Sequence, residues 1–406
     1  MAILHGTPLP NLAVKVVFLG IVVLGWLISP RSNGVPRRLR LAWAAFVTYV
    51  LIESAYFVFS MGYSLSFVFF SYNAYYFAIL LLPMLFHFRQ TLSESAVTRS
   101  LLLSFIPLSI LGITQNVFGK LLLPTDSPNG YLQVMSWDFF GSVRAFSLFS
   151  SPSQFGHFLA IVAGFGCAYY LHQHRRSTRA IVLTALALAA GYCTLTRATQ
   201  LEIACTIVTV WMIYRRPANR RLLSLLPILY GGVGLLAAFV LPVWLLNISG
   251  ENLGSNLSLV ERYLQWSQYG PLWLSGGMSN FLFGTGMIQN GRFQASADVV
   301  VDNSFLAVGL HIGIIGVLLW LLICWFVWGY MLTQLQSARS PLRVAAAAAF
   351  STWLLTSVFN ITIFYPLPFV IFLITNLGKP KHPAPLGLCP NGDGIMRNSL
   401  PLSASL

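Results

Sequence analysis

Long apolar runs separated by short polar segments fill the chain between residues 12 and 377. Most of these runs reach about 17–25 residues, the length of helix that crosses roughly 30 Å of hydrocarbon. In lipid, each backbone amide must be satisfied within its own segment, so runs of this length predict helices. The pattern therefore predicts an all-α fold, a polytopic transmembrane helical bundle.

The same pattern predicts about eleven membrane spans. Two runs, 180–214 and 344–377, are too long for one helix, so each is divided into two spans. The first divides at 194–197, and the second divides near Asn360 and Pro366. The complete set is 12–29, 41–61, 64–86, 100–118, 153–172, two spans in 180–214, 222–246, 304–331, and two spans in 344–377.

Polar sequence outside the spans defines two long loops and a tail. The loop 119–152 precedes the fifth span, and the larger loop 247–302 lies between spans eight and nine. Residues 378–406 are rich in proline and glycine, a composition typical of disorder. The chain is thus predicted to be one transmembrane domain, 1–377, followed by a disordered tail, 378–406.

Composition and charge support this class and orient the chain. The sequence is 56% hydrophobic and 8% charged, whereas soluble domains carry about 25% charged residues. Alternating the loops puts eighteen of the 24 Lys and Arg residues on one side, which the positive-inside rule assigns to the cytoplasm. The N-terminus is then outside and the C-terminus inside. No basic patch is interleaved with aromatic residues, so nucleic acid is not expected as a partner.

Four arginines stand on the exterior side, where arginine should be rare. They are Arg144, Arg197, Arg262 and Arg292. Arginine holds phosphate or carboxylate through a planar, permanently charged fork, so a convergent set would suit a lipid-linked phosphate. Ion pairing within the loops is the alternative for three of them: Arg144 with Asp138, Arg262 with Glu261, and Arg292 with Asp298. Arg197 has no adjacent acid.

The larger loop has further candidate binding groups. Ser258 and Glu261 fit a capping box, which predicts a short interfacial helix that carries Arg262 and Trp266 on one face and stops at Gly270-Pro271. Gly284-Thr-Gly286 could offer backbone amides to an anion, but a plain turn explains this short pattern equally well.

Acids at and within the spans are the remaining candidates. Asp302 precedes Asn303 at the start of the ninth span, where it serves either as the helix's N-terminal acid or as a general base. Glu53 and Glu202 lie inside spans; they are either hydrogen-bonded structural acids or part of a proton-coupled transporter. His157 and His311 lack a second ligand at helical spacing, so no metal or cofactor is expected.

Three stretches resemble the O-antigen ligase and Wzy-type polysaccharide polymerase superfamily. The first is 143–156, which contains Arg144 and Ser151-Pro152-Ser153. The second is Leu195-Thr196-Arg197-Ala198, and the third is Asp302-Asn303-Ser304 with the glycines of the following helix. Between them, Arg262, Trp266, Gly284 and Gly286 are similar to the large loop's usual Arg and Gly-x-Gly.

That resemblance implies a glycosyltransferase of the bacterial inner membrane. It would use undecaprenyl-pyrophosphate-linked oligosaccharide on the periplasmic face, without metal or nucleotide sugar, and invert the anomeric carbon. Arg144 and Arg197, then Arg262, would hold the pyrophosphate, and Asp302 would stand at the position of a base. Further substrate contacts are expected from Asn303, Trp266, Gly284, Gly286 and Arg292. A flippase and a chain-length regulator would be its protein partners.

Differences between this sequence and the family pattern help to distinguish a polymerase from a ligase. Ligases usually carry His where this chain has Asp302, which favours a polymerase of O-antigen or exopolysaccharide repeat units. Ser151-Pro152-Ser153 stands in place of Asn-Pro-Asn, and His311 in place of an acid. A ligase that joins glycan to lipid A-core or protein remains the alternative, followed by a transporter. No pair of Gly/Pro-broken helices at matching positions favours the transporter.

Overall fold

The computed structural model of the chain describes residues 35–60, 62, 68, 79, 82, 86, 93–119, 138–139, 142–149, 152–173, 177–215, 220–249, 267, 269–271, 273, 277–284, 288–289, 292–293, 303–337 and 339–357. The predicted spans 12–29 and the last of 344–377, most of 64–86, and the tail 378–406 lie outside these residues. So do Asp302, Arg262, Trp266 and Gly286.

The described residues are almost entirely helical. In chain order, the helices are α1 (Arg37–Phe59), α2 (Glu94–Phe118), α3 (Pro152–His172), α4 (Thr178–Cys193), α5 (Arg197–Arg215), α6 (Arg220–Ser249), α7 (Gly277–Phe283), α8 (Ser304–Ser337) and α9 (Pro341–Thr356). Two antiparallel hairpins interrupt the loops: β1 (Asp138–Phe139) with β2 (Ser142–Val143), and β3 (Ile288–Gln289) with β4 (Arg292–Phe293).

Serine side chains start three of these helices. Ser93, Ser177 and Ser340 each accept a hydrogen bond from the backbone N–H three residues later. Such caps satisfy one of the four N–H groups that a helix leaves without an internal partner. At the other end of α2, Gly119 adopts φ 61°, the left-handed conformation in which glycine commonly ends a helix.

Helix length and composition show an α-helical membrane protein. Among the described residues, α1, α2, α3 and α8 are long and apolar enough to cross a membrane. Large apolar side chains on α1 and α2 also point away from the protein, with Ile52 65% and Leu103 69% exposed. Such an outward apolar surface is costly in water and favourable against lipid. The predicted fold class is confirmed at this level.

Several predicted spans coincide with helices. The fifth span, 153–172, is α3, and the division of 180–214 falls between α4 and α5 as predicted. Spans two and eight match α1 and α6 within a few residues, while α2 begins six residues before the predicted 100–118.

Helix α9 is the centre of the bundle. Every residue from Leu342 to Thr356 is buried, and the helix packs against α3, α5, α6 and α8. Its run of five alanines, 345–349, allows close approach of neighbouring backbones; Ala345, for example, faces Gly164 of α3. Helices in lipid gain their association from such close contacts between small residues. The alanine-rich sequence of α9 therefore explains its central place in the bundle.

A break in α8 differs from the continuous ninth span predicted at 304–331. Ile312 (φ −124°, ψ 20°) and Gly313 (φ 64°, ψ −176°) leave the helical region and divide α8 in two. The 34 residues of α8 would span about 51 Å as one helix, more than the roughly 30 Å of hydrocarbon. The break leaves a short separate helix, 304–311, and a longer segment after Gly313 that is long enough by itself to cross the hydrocarbon.

Contacts from distant parts of the chain hold this break. The Tyr49 hydroxyl of α1 donates to the carbonyl of Ile312 at 2.7 Å. A Cβ on Gly313 would collide with the carbonyl of Leu282, and one on Gly284 with the carbonyl of His311. The end of α7 and the break in α8 thus meet backbone to backbone.

The predicted stop of the loop helix at Gly270-Pro271 is wrong. Residues 269–271 and 273 are helical, so helix continues through both residues. Proline and glycine persist in helices of membrane proteins when neighbouring elements satisfy the backbone groups that they release.

Candidate functional site

The segment that carries Arg144 is held by the end of α2. The side-chain oxygen of Gln115 accepts hydrogen bonds from the amides of Phe146 and Ser147 at 3.3 and 2.8 Å, and its nitrogen donates to the Ser147 carbonyl at 3.2 Å. Asn116 donates to the carbonyl of Val143 at 2.7 Å. Gln115 is fully buried, so this clamp fixes the backbone on both sides of Arg144.

A second contact joins this segment to the turn before Arg197. The amide of Ala145 donates to the carbonyl of Cys193 at 2.9 Å. Cys193 ends α4, and Arg197 begins α5 four residues later. The bond therefore brings the backbone next to Arg144 and the turn before Arg197 to one end of the bundle, named here the arginine end.

The turn itself is tightly organised by two threonines. The Thr194 hydroxyl donates to the Gly191 carbonyl at 2.7 Å and accepts from the Thr196 amide at 3.3 Å. Leu195 between them has φ 49°. These local bonds end α4 and start α5 within three residues, which fixes where the Arg197 backbone stands.

Backbone strain is concentrated at the arginine end. Within the described residues, Ser147 (φ 56°) and Leu195 (φ 49°) are the non-glycine residues with positive φ. One lies three residues after Arg144, and the other two residues before Arg197. Such conformations cost of order 1–3 kcal/mol each and cluster at functional sites.

The two arginines differ in exposure. Arg197 is exposed at the first position of α5, and Arg144 is half-buried, with its Nε buried. The N-terminus of a helix carries a partial positive charge, which an arginine there opposes. An anion at this end would meet the helix dipole and the guanidinium together.

Asn303 also lies at the arginine end. Arg343 at the start of α9 pairs with Glu94 at the start of α2, with Nε and Oε2 3.9 Å apart. That is the end of α2 opposite to Gln115, so α9 runs towards the arginine end. At that end, the backbone carbonyl of Ser357 accepts a hydrogen bond from the Ser304 amide at 2.8 Å. The start of α8 is therefore at the same end as Arg144 and Arg197.

The Asn303 side chain has a structural task at this position. It is 2% exposed, and its Oδ1 accepts from the Leu306 amide at 2.9 Å, which makes Asn303 the N-cap of α8. Asp302 precedes it outside the described residues. The N-cap of α8 is therefore Asn303, and the two roles considered for Asp302 stay predictions.

Two candidates from the larger loop, Gly284 and Arg292, lie within the described residues. The Gly284 amide donates to the Asn280 carbonyl at 2.8 Å, so that amide is engaged, and close packing against α8 accounts for the glycine. Arg292 pairs with Gln289 in the β3–β4 hairpin.

A buried pair beneath the arginine end joins two residues that the sequence had left separate. Nδ1 of His157 on α3 lies 2.6 Å from Oε2 of Glu202 on α5, and both side chains are 2% exposed. The sequence shows each as an ionisable residue in an apolar span, but its spacing does not reveal the partner. Gln115 and Asn116 were also missed, although two adjacent amides near the end of a span were a signal.

No protein-family model matches the chain, and no curated protein or solved structure matches it significantly.

Replacing Gln115 with leucine should destabilise the protein. The change removes the acceptor of the Phe146 and Ser147 amides, and a buried amide without an acceptor costs about 1–3 kcal/mol. The midpoint of thermal unfolding of the purified protein should fall. Thr114→Val is the matched control on α2, since Thr114 bonds only to carbonyls of its own helix, Ile110 and Leu111, in the hydrogen bonds described. Equal midpoints for the two variants would refute the clamp.

Proposed function

We propose that the protein is a membrane glycosyltransferase that polymerises O-antigen or exopolysaccharide repeat units. The observation that carries the proposal is the hydrogen bond between Ala145 and Cys193. It ties together the backbone next to Arg144 and the turn before Arg197, the two arginines whose guanidinium groups are best suited, by sequence, to hold a diphosphate. The resemblance of 143–156, 195–198 and 302–304 to the polymerase and ligase superfamily supplies the substrate class.

The proposed glycosyl transfer needs residues that bind the diphosphate leaving group and a base that takes the proton of the acceptor hydroxyl. Arg144 and Arg197 would bind the diphosphate of the undecaprenyl-linked glycan, with Arg262 as a third contact. The acceptor sugar hydroxyl attacks the anomeric carbon from the opposite side, the bond from carbon to the diphosphate oxygen breaks, and Asp302 takes the hydroxyl proton. Arginine suits this role because its charge persists and its fork matches two phosphate oxygens.

The topology completes the proposal. Eleven predicted spans, with the N-terminus outside and the C-terminus inside, would put the arginine end on the periplasmic face of the bacterial inner membrane. The loop 247–302 would cover the site there and contribute Trp266, Gly284, Gly286 and Arg292. The repeat unit would arrive through a flippase, and a chain-length regulator would act alongside the polymerase.

A transporter is the second candidate, and the break in α8 is the observation that favours it. Transporters build substrate and ion sites at discontinuous helices near the membrane midplane. However, the carbonyl of Ile312 at this break is engaged by Tyr49, and the flanking backbone packs against α7. These contacts favour a structural joint, so the polymerase is the stronger proposal.

Gel analysis of surface and lipid-linked glycan from a deletion strain tests these candidates. A polymerase predicts loss of the long ladder with a single repeat unit still attached to its acceptor. Long chains that persist on undecaprenyl pyrophosphate but are missing from their final acceptor would instead indicate a ligase. An unchanged glycan profile would exclude both enzymes and favour the transporter.

A further inference from the structure

The His157–Glu202 pair lies where the two arginine-bearing segments enter the bundle. The segment of Arg144 leads into α3, and His157 is in the second turn of that helix. Arg197 opens α5, and Glu202 is in the second turn of that helix. Each member of the pair therefore stands shortly below one of the two arginine segments.

The packing of α3 against α5 gives the pair a defined setting. Gly156 faces Thr199, and Gly164 faces Thr206, in both cases so closely that a Cβ on the glycine would collide. The two helices thus run side by side in the same direction. The pair lies just below the first of these contacts.

The pair is also the polar contact that can fix how far α3 is displaced along α5. Nδ1 of His157 and Oε2 of Glu202 lie 2.6 Å apart, so two buried polar groups from the two helices are in direct contact. Separating these two groups inside the bundle would leave each buried without the other, which is strongly unfavourable. A shift of α3 along α5 would therefore have to separate His157 from Glu202.

We propose that His157 and Glu202 are positioning residues that set the spacing of Arg144 and Arg197 for diphosphate binding. The inference rests on the proposed function for its ligand, but the spacing itself can be measured without one. The pair touches neither substrate nor leaving group; it acts through the helices that carry the two segments.

Two readouts on the full-length protein in lipid nanodiscs test the proposal. Hydrogen exchange of a peptide that spans 142–149 reports the bond from the Ala145 amide to the Cys193 carbonyl. Affinity for farnesyl diphosphate reports the arginine site. The first variant, Glu202→Ala, removes the contact between residues 157 and 202. The second, Glu202→Gln, keeps a side-chain oxygen that can still accept a hydrogen bond from His157. Thr206→Val is the matched control, because it removes a buried hydrogen bond from α5 to Thr352 of α9 and leaves the pair intact.

Glu202→Ala should speed exchange of the peptide and weaken farnesyl diphosphate binding by about tenfold or more, since displacements near 1 Å have effects of this size or larger. Glu202→Gln and Thr206→Val should resemble wild type in both readouts. If Glu202→Ala does not fold, the double variant His157→Leu/Glu202→Leu removes both members of the pair and should show the same faster exchange.

Exchange unchanged in both the alanine and the double leucine variants would overturn the positioning role. Equal effects of Thr206→Val and Glu202→Ala would also overturn it, because general loosening of α5 would then be sufficient. Faster exchange in a protein whose wild type does not bind farnesyl diphosphate would support the spacing role and overturn the proposed function.

Discussion

Replacing Arg197 with alanine is expected to abolish polymer while the protein still folds and inserts at normal levels. Loss of one donor aimed at developing charge typically costs about 10²–10³ in rate, and Arg197 also supplies a full charge at the α5 N-terminus. Stability should change little, because a positive charge at a helix N-terminus is itself unfavourable by about 0.3–1 kcal/mol. Arg144→Ala should give the same loss of polymer.

The opposite end of the same helix provides the control. Arg215 ends α5, and its guanidinium lies 5.4 Å from the centre of the Trp211 ring. Arg215→Ala removes the same charge from the same helix but leaves the arginine end untouched, so polymer should persist. The measurement is a glycan gel of the complemented deletion strain, with membrane levels checked by immunoblot. Wild-type polymer from both Arg197→Ala and Arg144→Ala would refute the arginine assignment.

Elements set by local sequence could be predicted well. The turn at 194–197 was located because an apolar run of 35 residues exceeds one membrane thickness and contains a polar interruption. The structure has α4 end at Cys193 and α5 begin at Arg197. The common end of the Arg144 and Arg197 segments followed from counting spans, since each crossing reverses the side on which the next loop stands.

Features set by distant contacts could not be predicted. The break in α8 depends on Tyr49, which is 263 residues from Ile312, and on the backbone of α7. A glycine within an apolar run signals neither contact, so the span was predicted as continuous. The clamp by Gln115 and the pairing of His157 with Glu202 are equally non-local. Hydrophobic pattern predicts where helices lie, but these side chains determine how the helices fit together.

Replacing Gly313 with alanine is expected to have the largest effect on stability. Gly313 combines φ 64° with ψ −176°, a conformation nearly restricted to glycine, and strain there costs about 1–3 kcal/mol. A Cβ would in addition collide with the carbonyl of Leu282, and neither backbone can move without separating α7 from α8. The midpoint of thermal unfolding of the purified protein should therefore fall by more than strain alone predicts.

Gly329→Ala in the same helix should have the opposite sign. Gly329 is exposed, and a Cβ there meets nothing within 4 Å, so alanine should stabilise α8 by up to about 1 kcal/mol through its helix propensity. Equal stability of the two variants would mean that α8 can run straight through residue 313. If Gly313→Ala unfolds early, as predicted, and also loses polymer at normal membrane levels, the activity needs the joint between α8 and α7, and α7 belongs to the loop 247–302.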